Sequence, residues 1–446
     1  MGWPFVWLFY IWSEHVGRVL NFMDLLIKNA TLVDPAEKRE GRFDVAIKDG
    51  KVAQVASHIK GKADKTIEAK GRLLCPGLID MHTHLREPGY EGKETIETGC
   101  RAAAAGGFTT IACMANTQPV NDNAMITEYI LNQARRLNHV TVLPIGAISH
   151  GLKGEILADI GDMTHEGCVA ISDDGSTIMN AALMRKALEY AKSFNIFVIS
   201  HAEDASLAGE GDMNEGPLCT LMGLKGIPNA SEEIIIARDI FLSELTRCPL
   251  HIAHVSTREG VNLIREAKKR GVKVTAEVTP HHLILTEEAV KGYNTNAKMR
   301  PPLRSATDVR AVQQGLKEGV IDVIATDHAP HSSADKDVEF SKALNGIVGL
   351  ETAVPLTYTL VLKKVISLRQ WVASLTQKPA KILGLKNKGT LRVGADADFT
   401  IIDTKASYTI DSKNFVSKST NTPFDGWKVH GRVLITAVKG RLIHGT

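Results

Sequence analysis

His82 and His84 stand two residues apart at the end of an apolar run that closes on Asp80-Met-His-Thr-His84. On an extended strand, residues i and i+2 share a face, so both imidazoles point the same way. One metal ion can then take both. A lone H-x-H pair occurs often by chance, but this one has company. Four other apolar runs close on groups of the same kind: Asp173-Asp174-Gly175, His201-Ala-Glu-Asp204, His251-Ile-Ala-His254 and Thr326-Asp327-His328-Ala-Pro-His331. Imidazole and carboxylate ligands suit zinc with a position left open for water. Six ligands of this kind are too many for one tetrahedral ion. They argue for a pair of ions or a pair of partly filled sites.

The remaining histidines carry plainer readings. His251 begins its run and is expected to be structural. His281 and His282 follow a run at 273–282 and offer no same-face pair, so a packing role or a place behind the ligands is expected. His328, next to Asp327, points the other way if the strand continues. His15, His58, His139, His150, His165, His430 and His444 lie in tails, helices or loops and read as surface groups. Of Asp173 and Asp174, only one can face the ligands on an extended strand.

Whatever positions these groups must bring several distant chain segments to one place. The middle of the chain alternates. Eight apolar runs, at 73–84, 109–116, 141–149, 168–175, 196–204, 250–257, 273–282 and 323–330, end in polar or charged residues. Helix-period segments separate them, for example at 94–105, 179–193, 231–245 and 258–270. Runs apolar on both faces and joined by helices indicate a parallel sheet. A count of eight points to a closed (β/α)8 TIM-type barrel, in which catalytic groups sit at the C-terminal ends of the strands. Both ends of the chain are instead strand-like, with short apolar runs broken by Asp-Gly and Asp-Pro turns. They predict a small β-sandwich domain built from residues 23–72 and 388–446 around a barrel at 73–387. No G-x-G-x-x-G or Walker sequence follows any run, so nucleotide binding of those kinds has no support in the motifs.

Composition narrows the class. The chain has 446 residues, 44% hydrophobic and 23% charged, which suits a soluble globular protein of one large and one small domain. Aromatics make up 5% and the formal net charge is +3, so neither a base-stacking platform nor a polyanion-binding stripe is indicated. The six cysteines, at 75, 100, 113, 168, 219 and 248, form no C-x-x-C pair and read as buried free thiols in a reducing compartment. Residues 1–22 include the aromatic-rich Gly2-Trp-Pro-Phe-Val-Trp-Leu-Phe-Tyr-Ile-Trp12. That stretch is shorter than the roughly 20 apolar residues a bilayer span needs, and it lacks the basic start of a signal peptide. It is read as an extension, with Met23 as the effective beginning, and a cytoplasmic, non-membrane protein is expected.

Seven motifs together carry a family likeness. Pro76-Gly-Leu-Ile-Asp-Met-His-Thr-His-Leu-Arg-Glu-Pro-Gly89 resembles the metal-binding signature of class I dihydroorotases, within the amidohydrolase superfamily. Gly106-Gly-Phe-Thr-Thr110, Met114-Ala-Asn-Thr117, Ser172-Asp-Asp-Gly175, His254-Val-Ser-Thr257, Pro301-Pro-Leu-Arg304 and Ala325-Thr-Asp-His-Ala-Pro-His331 are similar to it in the same order. The likeness runs from about Met23 to the C-terminus. It implies a zinc enzyme that interconverts dihydroorotate and N-carbamoyl-L-aspartate in pyrimidine biosynthesis. His82, His84 and Asp327 would hold one zinc, His201 and His254 a second, and Asp174 would bridge them. Asp327 would double as general base and acid. Arg86, Asn116 and His331 would clamp the substrate carboxylate, and the backbone at Asn345 and Gly346 would meet the ring. The family often has Asn where this chain has Arg300, so a direct contact there is in question. Ala115 stands where a proline is usual. The related hydantoinases and allantoinases usually bridge their metals with a carboxylated lysine after strand 4. Here that strand closes on Ser-Asp-Asp-Gly, which favours the aspartate-bridged dihydroorotases. A second rival is a catalytically silent homologue that supports aspartate carbamoyltransferase, but all six ligands are present. A homodimer and a complex with that transcarbamoylase remain open, as does a lid role for residues 331–345.

Overall fold

The computed structural model describes residues 22–445. The extension read at residues 1–22 lies outside them, except for the backbone of Phe22. The chain opens with β1 (Phe22–Asp34), β2 (Arg39–Lys48), β3 (Lys51–Ala56), β4 (Lys62–Glu68) and β5 (Leu73–Pro76). Asp49 and Gly50, both at positive φ (52° and 70°), turn β2 into β3 as the twist of a tight hairpin requires. β1 shifts register between Ile27 and Ala30. Before that bulge it pairs with β4, and after it with β5, both parallel. A bulge bends a strand, and here it lets one strand serve two partners on the same side.

The next ten strands are β6 (Leu78–Thr83), β7 (Phe108–Cys113), β8 (Thr141–Gly146), β9 (Ala170–Ile171), β10 (Phe197–Ser200), β11 (Met213–Asn214), β12 (Gly226–Ile227), β13 (Leu250–Ile252), β14 (Val274–Val278) and β15 (Val323–Ile324). β16 (Phe399–Thr409), β17 (Lys428–Val438) and β18 (Arg441–His444) end the chain. β16 lies antiparallel to β5, with Ile401 opposite Leu74, and β17 and β18 follow it. Both ends of the chain therefore come together, as expected; where a sandwich was read they build one mixed sheet, around Ile27, Leu32, Val45, Leu74, Phe399 and Ile401.

All of β6–β15 except the small β11–β12 ladder form one parallel sheet in the order β6-β7-β8-β9-β10-β13-β14-β15. A bridge between Thr83 and His328 joins its last strand to its first, and the His84 amide donates to the His328 carbonyl at 2.9 Å. The result is the predicted eight-stranded barrel. One expected boundary moves. The run at 73–84 is two strands, of which Leu73–Pro76 belongs to the terminal sheet and only Leu78–Thr83 to the barrel. The break has a local cause. Proline lacks an amide for a ladder, and a Cβ on Gly77 would sit 2.2 Å from Thr109 Oγ1, so only glycine lets the chain pass this close to β7.

Helices α1 (Ile96–Ala105), α2 (Ala124–Leu137), α3 (Ile160–Glu166) and α4 (Ala181–Ser193) connect β6 to β10. The short α5 (Ala205–Ala208) and α6 (Pro217–Met222) precede α7 (Asn229–Thr246), and α8 (Arg258–Lys269) leads into β14. α9 (Pro280–Ile284) and α10 (Ala306–Glu318) lead to β15, and α11 (Ser333–Lys336), α12 (Ala353–Leu362), α13 (Leu368–Leu375) and α14 (Gln377–Ile382) follow it. Side chains of Asn123, Asn180, Thr257 and Ser305 accept the first free amides of α2, α4, α8 and α10, each worth about 1 kcal/mol. α8 buries Val261, Ile264 and Ala267, a three-residue spacing that presents one apolar stripe to the barrel.

Inside the barrel, Ile79, Met81, Ala112, Met114, Ile145 and Ile199 fill the lumen, and Ala380 and Leu383 from the α14 region pack on the same cluster. The lumen is thus solid, and chemistry is left to the strand ends. All six cysteines are buried and unbridged. No helix among the described residues is long and apolar enough to cross a membrane.

Candidate metal centre

The polar ends of five barrel strands meet over one mouth. His82 sits on β6 and His84 just beyond it, and the shared face predicted for them is the one turned to the lumen. Asp174 follows β9, His201 follows β10, His254 follows β13 and Asp327 follows β15. All six side chains are almost fully buried. Asp174 lies at their centre. Its carboxylate is 3.3 Å from His82 Nε2, 3.5 Å from His84 Nε2, 3.4 Å from His201 Nδ1 and 3.6 Å from His254 Nε2. Asp327 Oδ1 lies 3.0 Å from His84 Nε2 and 3.5 Å from His82 Nε2. His201 Nδ1 and His254 Nε2 face each other at 2.9 Å.

The arrangement fits metal ions. His82, His84 and Asp327 bring ligand atoms within 4.8 Å of one another, and so do His82, Asp174 and His254. His82 Nε2 and Asp174 Oδ1 are buried and have no hydrogen-bond partner, although buried polar atoms are nearly always satisfied. Two facing imidazole nitrogens and two orphaned ligand atoms are what a cation-binding donor set presents. The backbone is also strained here. His254 and Asp327 hold φ at 32° and 47°, and Arg86 at 64°, a region that costs side-chain-bearing residues about 1–3 kcal/mol each.

The choice between the paired aspartates is settled by their neighbours. Asp173 turns away and accepts the Ile148 and Ser149 amides at 2.7 and 3.0 Å. Burial pushes its pKa up to about 6 against those bonds. The histidines beside the centre fall as read, while His15 lies outside the described residues. His328 points outward, 3.2 Å from Glu94, with its Nδ1 taking the Gly349 amide at 3.1 Å. His282 bonds Thr279 and the Pro301 carbonyl. His281 is buried with Nε2 unpartnered, and burial lowers its pKa to about 4, leaving a neutral ring beside the centre.

Electrostatics tie the group together. Burial works against every charged form here, yet Asp174, Glu277 and Asp327 outweigh it and hold the His82 imidazole well above its ordinary pKa. Likewise His82 and its neighbours hold Asp174 and Asp327 well below the usual carboxylate range. His201 is raised against its burial, mainly by Asp174.

Sequence reasoning missed Glu277. It is fully buried on β14, 2.6 Å from His82 Nδ1 and 3.1 Å from His251 Nε2. His251 in turn bonds Thr275 at 2.8 Å. Glu277 therefore fixes the His82 ring through Nδ1, leaving Nε2 toward the centre, and His251 fixes Glu277. Against burial, the two imidazoles draw its pKa down to about 2. A carboxylate inside the apolar run Val274–Val278 was the available signal. Asn421 was missed too. Its side chain takes the His331 amide and donates to the Ala329 and Gly346 carbonyls, each at 3.0 Å. It comes from a loop far along the chain, and nothing local in the sequence marks it.

The residues expected to meet substrate, with one exception, touch one another or the His84 ring. Arg86 reaches the Pro330 carbonyl at 3.2 Å and His331 Nε2 at 3.4 Å. His331 bonds the Asn345 carbonyl at 2.8 Å. Burial, with Arg86 close by, lowers the pKa of His331 to about 3, so its ring is neutral at ordinary pH. Asn116 Oδ1 lies 2.9 Å from His84 Nδ1. Gly346 holds φ at 155°, and a Cβ there would come within 2.6 Å of His331. Its amide and carbonyl already bond Lys298 and Asn421. Arg300 is the exception. Its Nε is 2.8 Å from both oxygens of Glu203, and one terminal nitrogen points to Gly209. The segment at 331–345 is tied down. Lys336 is buried and donates to the Thr295 and Leu344 carbonyls, and Phe340 is buried with Lys298 over its ring.

Known proteins match both the sequence and this geometry. Residues 71–260 match a family described as Dihydro-orotase-like, and residues 247–444 match an amidohydrolase family. The dihydroorotase of Geotalea daltonii is 52% identical over 423 residues, covering 95% of this chain and 99% of that protein. The dihydroorotase of Syntrophotalea carbinolica is 53% identical over 422 residues, with the same coverage. Among solved structures, the L-hydantoinase (dihydropyrimidinase) of Arthrobacter aurescens superposes with a TM-score of 0.86 at 28% identity, covering 95% of this chain and 96% of that one. The dihydropyrimidinase of Brevibacillus agri gives 0.78 at 26%, covering 94% and 95%. The fold is therefore shared with these hydantoinases and dihydropyrimidinases, whereas the near-full-length sequence identity runs to dihydroorotases: the chain belongs to the dihydroorotase family of the amidohydrolases.

Proposed function

We propose that this chain is a zinc-dependent dihydroorotase of the cytoplasm, which opens the ring amide of L-dihydroorotate to N-carbamoyl-L-aspartate and closes it again, a step of pyrimidine biosynthesis. The observation that carries the reading is Asp174, which stands within 3.6 Å of four ligand imidazoles where hydantoinases usually use a modified lysine. His82, His84 and Asp327 would hold one zinc, His201 and His254 a second, with Asp174 between. Bound there, the ions supply Lewis acidity that polarises the ring carbonyl and lowers the pKa of water toward about 7.

The chain's own residues do the rest. Arg86, beside a neutral His331, offers its guanidinium to the substrate carboxylate, and Asn116 helps to fix it. Clamping that end presents the ring carbonyl to the centre in one orientation. Asp327 takes the proton of the attacking water at a carboxylate oxygen as the C–O bond forms. It returns that proton to the ring nitrogen as the C–N bond breaks. Hydrolysis releases a carboxylate and ring closure consumes a carboxylic acid. Closure is therefore favoured in acid and hydrolysis in alkali. Arg300, held by Glu203, acts through that ion pair and not on the substrate directly. A complex with aspartate carbamoyltransferase and a homodimer belong to this reading as further steps.

The test is reconstitution. Purified chain stripped with a chelator should lose turnover of dihydroorotate and regain it with zinc. Failure to regain it, alone and with aspartate carbamoyltransferase added, would overturn the proposal.

A further inference from the structure

A cavity of about 670 Å³ opens at the other end of the barrel. Its walls are the first residues of β10, β13 and β14, the ends of α4 and α7, and α14. Phe197 at its floor opens β10 and His201 at the metal centre directly follows that strand, about 13 Å away at roughly 3.3 Å per residue. The cavity is separate from the catalytic mouth.

Its surface is of two kinds. Phe197, Leu250 and Val274 give it an apolar floor. Lys192, Arg247, Lys273, Lys378 and Lys381 surround that floor, and Asp322 is the one acid among the lining residues. Asp322 is already bonded to Lys268 at 2.6 Å, and Lys192 donates to the Thr246 carbonyl. The other four cations have no side-chain hydrogen bond or ion pair among the described residues. Five cations against one acid are gathered here in a chain whose formal net charge is only +3. Half-buried Lys378 has its pKa lowered by burial, which outweighs the pull of Asp322, and Lys268 adds to the lowering; a further anion beside it would offset that penalty.

We propose that this cleft binds a small organic polyphosphate with a flat apolar body, of the class of nucleoside di- and triphosphates. Ammonium and guanidinium groups recognise phosphate oxygens, and the floor offers a face for a ring. The volume lies within the roughly 300–1,000 Å³ of small-molecule sites. A concave cleft with its apolar surface inside favours a small molecule over an acidic protein segment.

The test is calorimetric titration of the zinc-loaded full chain with adenosine triphosphate, inorganic triphosphate and adenosine, each without added magnesium. The same titrations are run on the double variant Lys273→Glu, Lys381→Glu, with its folding read from circular dichroism and Arg247→Glu used if it is unstable. Both lysines are exposed and far from the catalytic groups, so dihydroorotate turnover should be unchanged. The nucleotide should bind once per chain, at least tenfold tighter than either fragment, and at least tenfold weaker in the variant. Inorganic triphosphate binding as tightly overturns the organic ligand. Undiminished binding in the variant puts the nucleotide elsewhere, the metal centre included, and overturns the site. Absence of binding overturns the proposal as well.

Discussion

Replacing Glu277 by glutamine keeps the side chain's volume and removes its charge. Glu277 bonds His82 at 2.6 Å and His251 at 3.1 Å, and the His254 amide points at it from 3.4 Å. It is one of three carboxylates that hold His82 above its ordinary pKa, with Asp174 and Asp327. The amide can still accept from one imidazole and donate to the other if His251 changes tautomer toward Thr275. The fold should therefore survive, at a cost of about 1 kcal/mol. The ligand itself becomes less basic and less firmly aimed. Losing a partner of this kind costs metal affinity about 10- to 100-fold, or roughly 1.4–2.7 kcal/mol. Two ligand-bearing segments depend on this carboxylate, so the upper half of that range is expected. Alanine is a harsher change. It leaves two buried imidazole nitrogens without partners, at about 1–3 kcal/mol each, and should lower the melting temperature even of the metal-free protein. The assay is competition for zinc against a chromophoric chelator, with thermal unfolding alongside. Wild-type zinc affinity in Glu277→Gln would refute the argument that this residue positions a ligand.

Three further outcomes follow from the same geometry. Asp327→Asn should fold and keep zinc at reduced affinity, yet lose turnover on the order of 10²- to 10⁴-fold, the span of a removed general base; near-full activity with zinc bound would remove Asp327 from the proton transfer. Arg86→Ala should lower kcat/KM for dihydroorotate about 10- to 100-fold, the worth of a charge-assisted bond of roughly 1.5–3 kcal/mol, and an equal loss on a cyclic amide without a carboxylate would show that Arg86 does not act as a clamp. Because His82 and His201 have raised pKa values, they keep protons further up the pH scale, and a metal must displace those protons. Zinc affinity should therefore fall as pH falls toward and below about 6.5, and calorimetry in buffers of different ionisation enthalpy should detect proton release on binding; none detected would contradict the ligand assignment.

Much of the barrel was legible because its signals are periodic. Runs apolar on both faces and ending in polar residues read as buried parallel strands, and H-x-H at one such end named the ligand face. The boundary at Pro76-Gly77 was not legible, since β5 and β6 are equally apolar and only their partners tell them apart. Strand lengths were overread for a similar reason. Residues 172–175 and 253–257 close runs that were read as strands throughout, but they lie beyond the last ladder pairs of β9 and β13. The candidate ligands other than His82 therefore sit just past the strands, where His254 and Asp327 can take positive φ. Glu277 left a trace, a charge inside an apolar strand, but a single sequence does not say which imidazole it meets. Asn421 left none, because its role depends on a loop returning from the far end of the chain. Arg300 was in question from its place before Pro301, and only the packed structure brings Glu203 to its Nε.

The central claim is that six buried ligands and a carboxylate clamp make one substrate the preferred one. The most direct measurement compares kcat/KM of the zinc-loaded chain on L-dihydroorotate, hydantoin and allantoin under the same conditions. The account predicts turnover of dihydroorotate with hydantoin and allantoin at least a hundredfold poorer. Comparable or faster turnover of hydantoin or allantoin would leave the barrel standing and contradict the reading of Asp174 and Arg86 on which the function rests.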